Sequence, residues 1–131
     1  MKEATAQLIE IFQPTDTDWM GYTIESVEDL SFHHIEKKQD GGLYTVNNGA
    51  LLNSYTSHEY LHLIETKDLE LYGYINNLLQ NINNQRFAPT KSQLLAVRSI
   101  LEQFEREHAG ETNSRGKALI KTKFIEGRKK W

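Results

Sequence analysis

Residues 33–62, HHIEKKQDGGLYTVNNGALLNSYTSHEYLH, hold four of the five histidines of this 131-residue chain. Gly41 and Gly42 interrupt the stretch and predict a tight reversal, because glycine adopts positive φ without steric cost. Apolar residues before the reversal, and again after Asn48, predict two short extended segments. The stretch therefore predicts a small hairpin at the centre of the chain.

Helical signals surround this hairpin. Thr56 and Glu59 have the spacing of a capping box, which predicts the start of a helix. Apolar residues at helical spacing continue beyond a break predicted near residues 66–68, and a second capping box at residues 90–93 predicts a last helix. A short amphipathic helix is predicted over residues 2–12. The sequence thus predicts an α+β fold, with a small hairpin–helix core embedded among additional α-helices.

The composition excludes several classes of protein. The chain has no cysteine, which excludes a disulfide framework and a thiolate zinc site and is compatible with a reducing cytoplasm. It has no apolar run of membrane-spanning length, and its acidic N-terminal segment does not resemble a signal peptide. We therefore expect a soluble cytoplasmic protein with no membrane partner.

Charge is distributed unevenly along the chain. Residues 115–131 contain seven basic residues and one acidic residue, a net charge of +6. Residues 1–114 contain eight basic residues and seventeen acidic residues, a net charge of −9. A basic arm of this kind is typical of contact with a polyanion such as DNA, and a solvated tail is the alternative. The basic residues of the arm are Arg115, Lys117, Lys121, Lys123, Arg128, Lys129 and Lys130.

The histidines are the candidates for chemistry. His58 and His62 are four residues apart on the predicted helix, so both lie on one face and can bind one ion, although such pairs are more often ordinary surface or core residues. His33 and His34 point to opposite faces of an extended strand. If His33 faces the helix, three imidazoles form an open metal site. His34 is then left as a general base, with Asn48 placed across the hairpin to fix its ring.

The order and spacing of these residues resemble the HNH endonucleases, whose ββα-metal motif has a His-His or Asp-His pair, a Gly-Gly turn, an Asn that opens the second strand and a helix with His. The resemblance covers about 30 of the 131 residues. It implies that His34 is the general base and Asn48 its orienting residue. It also implies that His33, His58 and His62 are the metal ligands.

Two features depart from that family. Many members hold a zinc knuckle with paired cysteines, so this chain has to rely on apolar packing instead. Because Asn47 is adjacent to Asn48, either of the two could be the asparagine that orients the general base, and Asn53 is a more remote candidate. The resemblance implies a single nuclease domain over residues 1–114, with its motif core at about residues 30–65, followed by the arm.

The implied activity is that of a bacterial or phage DNA endonuclease that hydrolyses phosphodiester bonds with one divalent ion, Mg²⁺, Mn²⁺, Ni²⁺ or Zn²⁺. The alternative is a catalytically inactive HNH-like module with a structural metal, which binds nucleic acid or regulates a protein partner. Lys37 and Lys38 are candidate phosphate contacts, with exposed turn lysines as the plainer interpretation. Glu59 and Glu65 flank the helical histidines and are candidates to fix the imidazole tautomers, although carboxylates at such places are more often only solvated.

Overall fold

A computed structural model describes residues 2–111, and the predicted basic arm lies outside them. The described part is mixed α+β and mostly helical, which confirms the α+β class. None of its helices combines the length and the apolar character that a membrane crossing requires. The helices are α1 (Glu3–Phe12), α2 (Ser57–Lys67), α3 (Leu69–Gln85) and α4 (Lys91–Glu107), and the strands are β1 (Leu30–His34) and β2 (Gly49–Asn53).

The two strands form one antiparallel pair whose register runs from Leu30 opposite Asn53 to His34 opposite Gly49. Every residue of β2 is buried, because α1, α2 and α3 all pack against this strand. That burial explains why β2 has a continuous apolar run rather than an alternating pattern. β1 is less buried, so its side chains are available on two sides of the sheet.

The loop between the strands depends on its two glycines. Gly41 has φ of 96°, the left-handed region that favours glycine. Gly42 is required for a different reason, since a Cβ there would lie 1.8 Å from the carbonyl oxygen of Glu36. The Gly42 amide donates to the carbonyl of Lys37 at 2.9 Å, which holds this close approach. The predicted reversal is therefore confirmed.

The predicted helix boundaries at Thr56, near residues 66–68 and at Thr90 all form, but only two of them have a side-chain cap. The break between α2 and α3 falls at Asp68, whose carboxylate accepts from the first turn of α3. The capping box of α4 is present, with Thr90 and Gln93 bonded to each other's backbone amides. The capping box of α2 was a wrong prediction. Thr56 is its N-cap, but with ψ of −81° it is not extended, and its buried hydroxyl has no hydrogen-bond partner among residues 2–111.

A buried carboxylate connects the hairpin to α2. Asp18 accepts hydrogen bonds from two backbone amides of its own turn, from the Asn53 amide at 2.8 Å and from the Ser57 hydroxyl. Burial raises the pKa of Asp18 against the opposing effect of these bonds. Since Asn53 ends β2 and Ser57 begins α2, Asp18 fixes the first turn of α2, which carries His58, relative to the sheet.

Candidate functional site

His33, His58 and His62 meet between β1 and α2. The His33 ring is buried, and its centroid lies 5.5 Å from that of His58 and 6.0 Å from that of His62. The two helical rings are 4.9 Å apart. One ring nitrogen from each histidine lies within 4.8 Å of the other two. Three imidazoles this close together are able to share one cation and leave coordination positions open.

Two of the rings have a tautomer fixed by a neighbouring acceptor. The Nε2 atom of His33 lies 2.8 Å from the side-chain oxygen of Asn76 on α3. The Nδ1 atom of His62 lies 3.0 Å from a carboxylate oxygen of Glu65. Both partners accept, so His33 carries its proton on Nε2 and His62 carries its proton on Nδ1. The opposite nitrogens, Nδ1 of His33 and Nε2 of His62, keep their lone pairs for an ion.

The third ring is fixed through a hydroxyl. The Nδ1 atom of His58 lies 2.6 Å from the Ser31 hydroxyl, which also donates to the carbonyl of Leu52 at 3.2 Å. Because a hydroxyl has only one proton to donate, Ser31 accepts from His58, whose Nε2 atom keeps its lone pair. All three histidines thus have one nitrogen held by the protein and one available to a metal, which is the arrangement that metal-ligating histidines require.

The site also keeps these rings neutral. Burial lowers the pKa of His33 to about 3 and that of His58 to about 4. Burial, followed by the charge of Lys37, lowers the pKa of His62. A metal competes with protons for imidazole nitrogens, so a depressed pKa leaves the nitrogens free at neutral pH. The donor set therefore fits a divalent cation that prefers nitrogen ligands.

His34 is not part of this cluster, although it follows His33 in the chain. Its ring packs against Phe32 and Tyr44, with centroid distances of 4.8 and 6.3 Å. Burial and then the charges of Lys38 and Lys2 lower the pKa of His34, so its ring is neutral near pH 7. His34 lines the same open cleft, of about 440 Å³, as the three clustered histidines. The cleft therefore contains a neutral imidazole that is free to accept a proton.

Asn48 holds the loop that follows His34 rather than the imidazole ring. Its side-chain oxygen accepts from the Glu36 amide at 2.8 Å, and its nitrogen donates to the carbonyls of Glu36 and Leu43, each at 3.0 Å. With its amide engaged in these bonds, Asn48 acts on His34 only through the backbone between them. The predicted direct contact with the ring is not among the hydrogen bonds of residues 2–111.

The other two asparagines face elsewhere. Asn47 accepts from Arg86 through its side chain and from Gln80 through its backbone carbonyl, so it contacts α3. Asn53 is buried and donates to the carbonyl of Thr23 at 3.0 Å. Of the three candidates, Asn48 is therefore the one whose side chain fixes the loop beside His34.

The two predicted phosphate contacts differ in their surroundings. Lys37 forms an ion pair with Glu65, the residue that also holds His62. Lys38 is exposed at the edge of the cleft. Glu65 therefore links the loop to α2, whereas Glu59 is exposed. An incoming phosphate would meet Lys38 first and would compete with Glu65 for Lys37.

Two of the residues that fix the imidazoles, Ser31 and Asn76, were not among the predicted site residues. The position of Ser31 could have been predicted from the sequence, because it lies two residues before His33 on β1 and residues at that spacing share a face of a strand. No local pattern in the sequence predicts the contact of Asn76 with His33, since the two meet only through the packing of α3 beside the hairpin.

No family model, curated protein or solved structure matches this chain. The likeness of residues 33–62 to the HNH endonucleases thus remains one of residue order and spacing. What the geometry defines is a class of site: three neutral histidines with fixed tautomers in an open cleft, beside a fourth neutral histidine.

Proposed function

We propose that this protein is a metal-dependent endonuclease that hydrolyses phosphodiester bonds in DNA, and that β1, β2 and α2 form a ββα-metal core. One observation carries the proposal. His33 and His34 are consecutive, yet one belongs to a cluster of three histidines that could hold a metal ion and the other lines the same cleft as a neutral ring. A structural ion would need the first arrangement but not the second.

The proposed role of each histidine follows from which of its ring nitrogens keeps a lone pair. Nδ1 of His33 and Nε2 of His58 and His62 would hold one divalent ion, Zn²⁺, Ni²⁺, Mn²⁺ or Mg²⁺, and an all-imidazole set favours the first two. When bound, the ion supplies positive charge to the phosphate and to the departing oxygen. His34 accepts a proton from the attacking water. Lys38 attracts the phosphate to the cleft, and the basic residues at positions 115–131 contact the DNA backbone.

The distribution of charge favours a second candidate function. The net charge of −9 on residues 1–114 repels DNA beyond the immediate cleft. A module that keeps the metal for structure and docks on nucleic acid or on a protein partner would tolerate that charge. Turnover separates the two candidates, because only the nuclease requires His34 to exchange protons.

The test is nicking of supercoiled plasmid in EDTA, Mg²⁺, Mn²⁺, Ni²⁺ or Zn²⁺. We expect cleavage that depends on the metal and that His34→Ala slows by at least about 100-fold, the usual scale of general-base catalysis. Metal affinity, measured by calorimetry, should be unchanged in that variant. His108→Ala is the matched control for the nicking assay alone, since His108 is bonded to Glu111 and does not line the cleft, although with Asp68 and Glu107 it forms a second group that could hold an ion.

Three results would count against the proposal. Full cleavage by His34→Ala would remove His34 as the base. Stoichiometric metal binding without cleavage under any of the five conditions would favour the inactive module. Absence of metal binding by the wild-type protein would remove both candidates.

A further inference from the structure

A second cavity adjoins the cleft at His34. It has a volume of about 610 Å³, larger than the cleft of the metal cluster, and it shares His34 and Phe32 with that cleft. Its size falls in the usual range of small-ligand sites, about 300–1,000 Å³. The cavity is lined by Lys2, Thr5, Leu30, Phe32, His34 and Tyr44, together with Glu28 and Ser31.

Tyr44 is held as a rigid aromatic wall of this cavity. Its hydroxyl accepts from the Thr5 amide at 3.1 Å and lies 3.0 Å from the Thr5 hydroxyl. Its ring packs edge-on against Phe32 at 4.5 Å and remains 36% exposed. The Lys2 ammonium lies over this ring, so a flat ligand that stacks there has to displace it toward the rim. An aromatic ring that is already fixed in position loses little entropy when a flat ligand stacks on it.

The charges around the cavity suit a nucleotide. Lys2 places its ammonium 5.8 Å from the Tyr44 ring centroid, directly before the positive end of α1. These groups attract a phosphate at the rim. Glu28 is the acidic residue of the wall, and a carboxylate accepts hydrogen bonds from the exocyclic amino groups of bases.

We propose that this cavity binds one unpaired nucleobase of a DNA strand, stacked on Tyr44, while the neighbouring phosphate lies at His34. This inference rests on the proposed function, because it takes the adjoining cleft to be the site of cleavage. A base within an intact duplex is not free to enter. The protein therefore favours single-stranded DNA or a strand from which a nucleotide has been extruded.

Binding in EDTA tests this inference with catalysis switched off. Fluorescence anisotropy would compare a labelled single-stranded oligonucleotide with the same sequence as a duplex. We expect the wild-type protein to prefer the single strand, and Tyr44→Ala to weaken that binding by about 5- to 100-fold, the scale of one base stacked on an aromatic ring. Tyr44→Phe keeps the ring and should retain most of the affinity. Tyr74→Ala, which removes an exposed tyrosine of α3, is the matched control.

A measurement on the wild-type protein avoids any effect of the substitutions on folding. The Thr5 amide donates to the Tyr44 hydroxyl, so its NMR signal reports on the cavity. Titration with a single-stranded deoxytrinucleotide should shift that signal and leave the Leu71 amide, at the start of α3, unaffected. An unshifted Thr5 signal, or equal affinity of Tyr44→Ala and Tyr74→Ala, would overturn the proposal.

The two proposals fail separately. If the protein binds single strands through Tyr44 but never nicks DNA, the proposed base site is supported and the proposed nuclease activity is contradicted. If the protein nicks plasmid but its binding of single strands does not depend on Tyr44, the proposed nuclease activity is supported and the proposed base site is contradicted.

Discussion

Replacement of Asn76 by alanine should weaken metal binding, although we assign Asn76 no contact with the ion. The side-chain oxygen of Asn76 accepts the Nε2 proton of His33, whose ring is 1% exposed. Without that acceptor, a buried N–H loses its partner, at a cost of about 1–3 kcal/mol, unless the ring rotates or changes tautomer. Either change removes the Nδ1 lone pair from the cluster. Loss of such a supporting bond typically lowers metal affinity by about 10- to 100-fold.

Titration calorimetry with Zn²⁺ in competition with a chelator would measure the effect. Asn77→Ala is the matched control, because Asn77 is the next residue of α3 and is exposed. Asn76→Asp retains an acceptor oxygen and should keep most of the affinity. Thermal unfolding of each metal-free variant would separate a local loss of affinity from a loss of fold. Affinities of Asn76→Ala and Asn77→Ala within about twofold would refute the assigned tautomer of His33.

Two further predictions concern the fold that carries the site. Burial lowers the pKa of His33 from 6.5 to about 3. Between those values the unfolded chain binds more protons, so the metal-free protein loses up to about 1.4 kcal/mol of stability for each pH unit below 6.5. Equal urea midpoints at pH 7 and pH 5 would contradict this. Gly42→Ala should lose about 1–3 kcal/mol of stability, because the new Cβ meets the Glu36 carbonyl. Gly73→Ala, with open space around it, should gain up to about 1 kcal/mol. Thermal unfolding would check the pair, and the reverse order would refute the steric argument.

Local signals in the sequence were enough to predict most of the secondary structure. The Thr90 and Gln93 pair lies within one turn of α4, and its reciprocal hydrogen bonds form as the spacing predicts. The same spacing at Thr56 correctly predicted where α2 begins, but the capping hydrogen bonds do not form there, because the N-cap backbone is not extended in a segment that Asp18 holds at Asn53 and Ser57. Contacts from a distant part of the chain thus overrode a local preference.

The residues of the candidate site also fall into two groups, those that local spacing predicts and those that it does not. The four-residue spacing on a helix predicted that His58 and His62 share a face, and the alternation along a strand predicted that His33 and His34 point apart. That His33 is the one beside the helix followed only from the resemblance to the HNH endonucleases. The groups that fix their tautomers come from elsewhere in the fold, and Asn76 is 43 residues away from His33 in the sequence. No periodicity connects positions at that separation, so tertiary packing alone decides them.

Strand β1 presents its consecutive histidines on opposite faces. His33 lies against His58 and His62, whereas Phe32 and His34 lie against Tyr44. A slip of the hairpin by one residue would exchange the two sides, expose His33 and bury His34. The observed register requires glycine at position 49, since a Cβ there would lie 2.3 Å from the Phe32 ring. A residue with no side chain thus helps to keep the two adjacent histidines on opposite faces of β1.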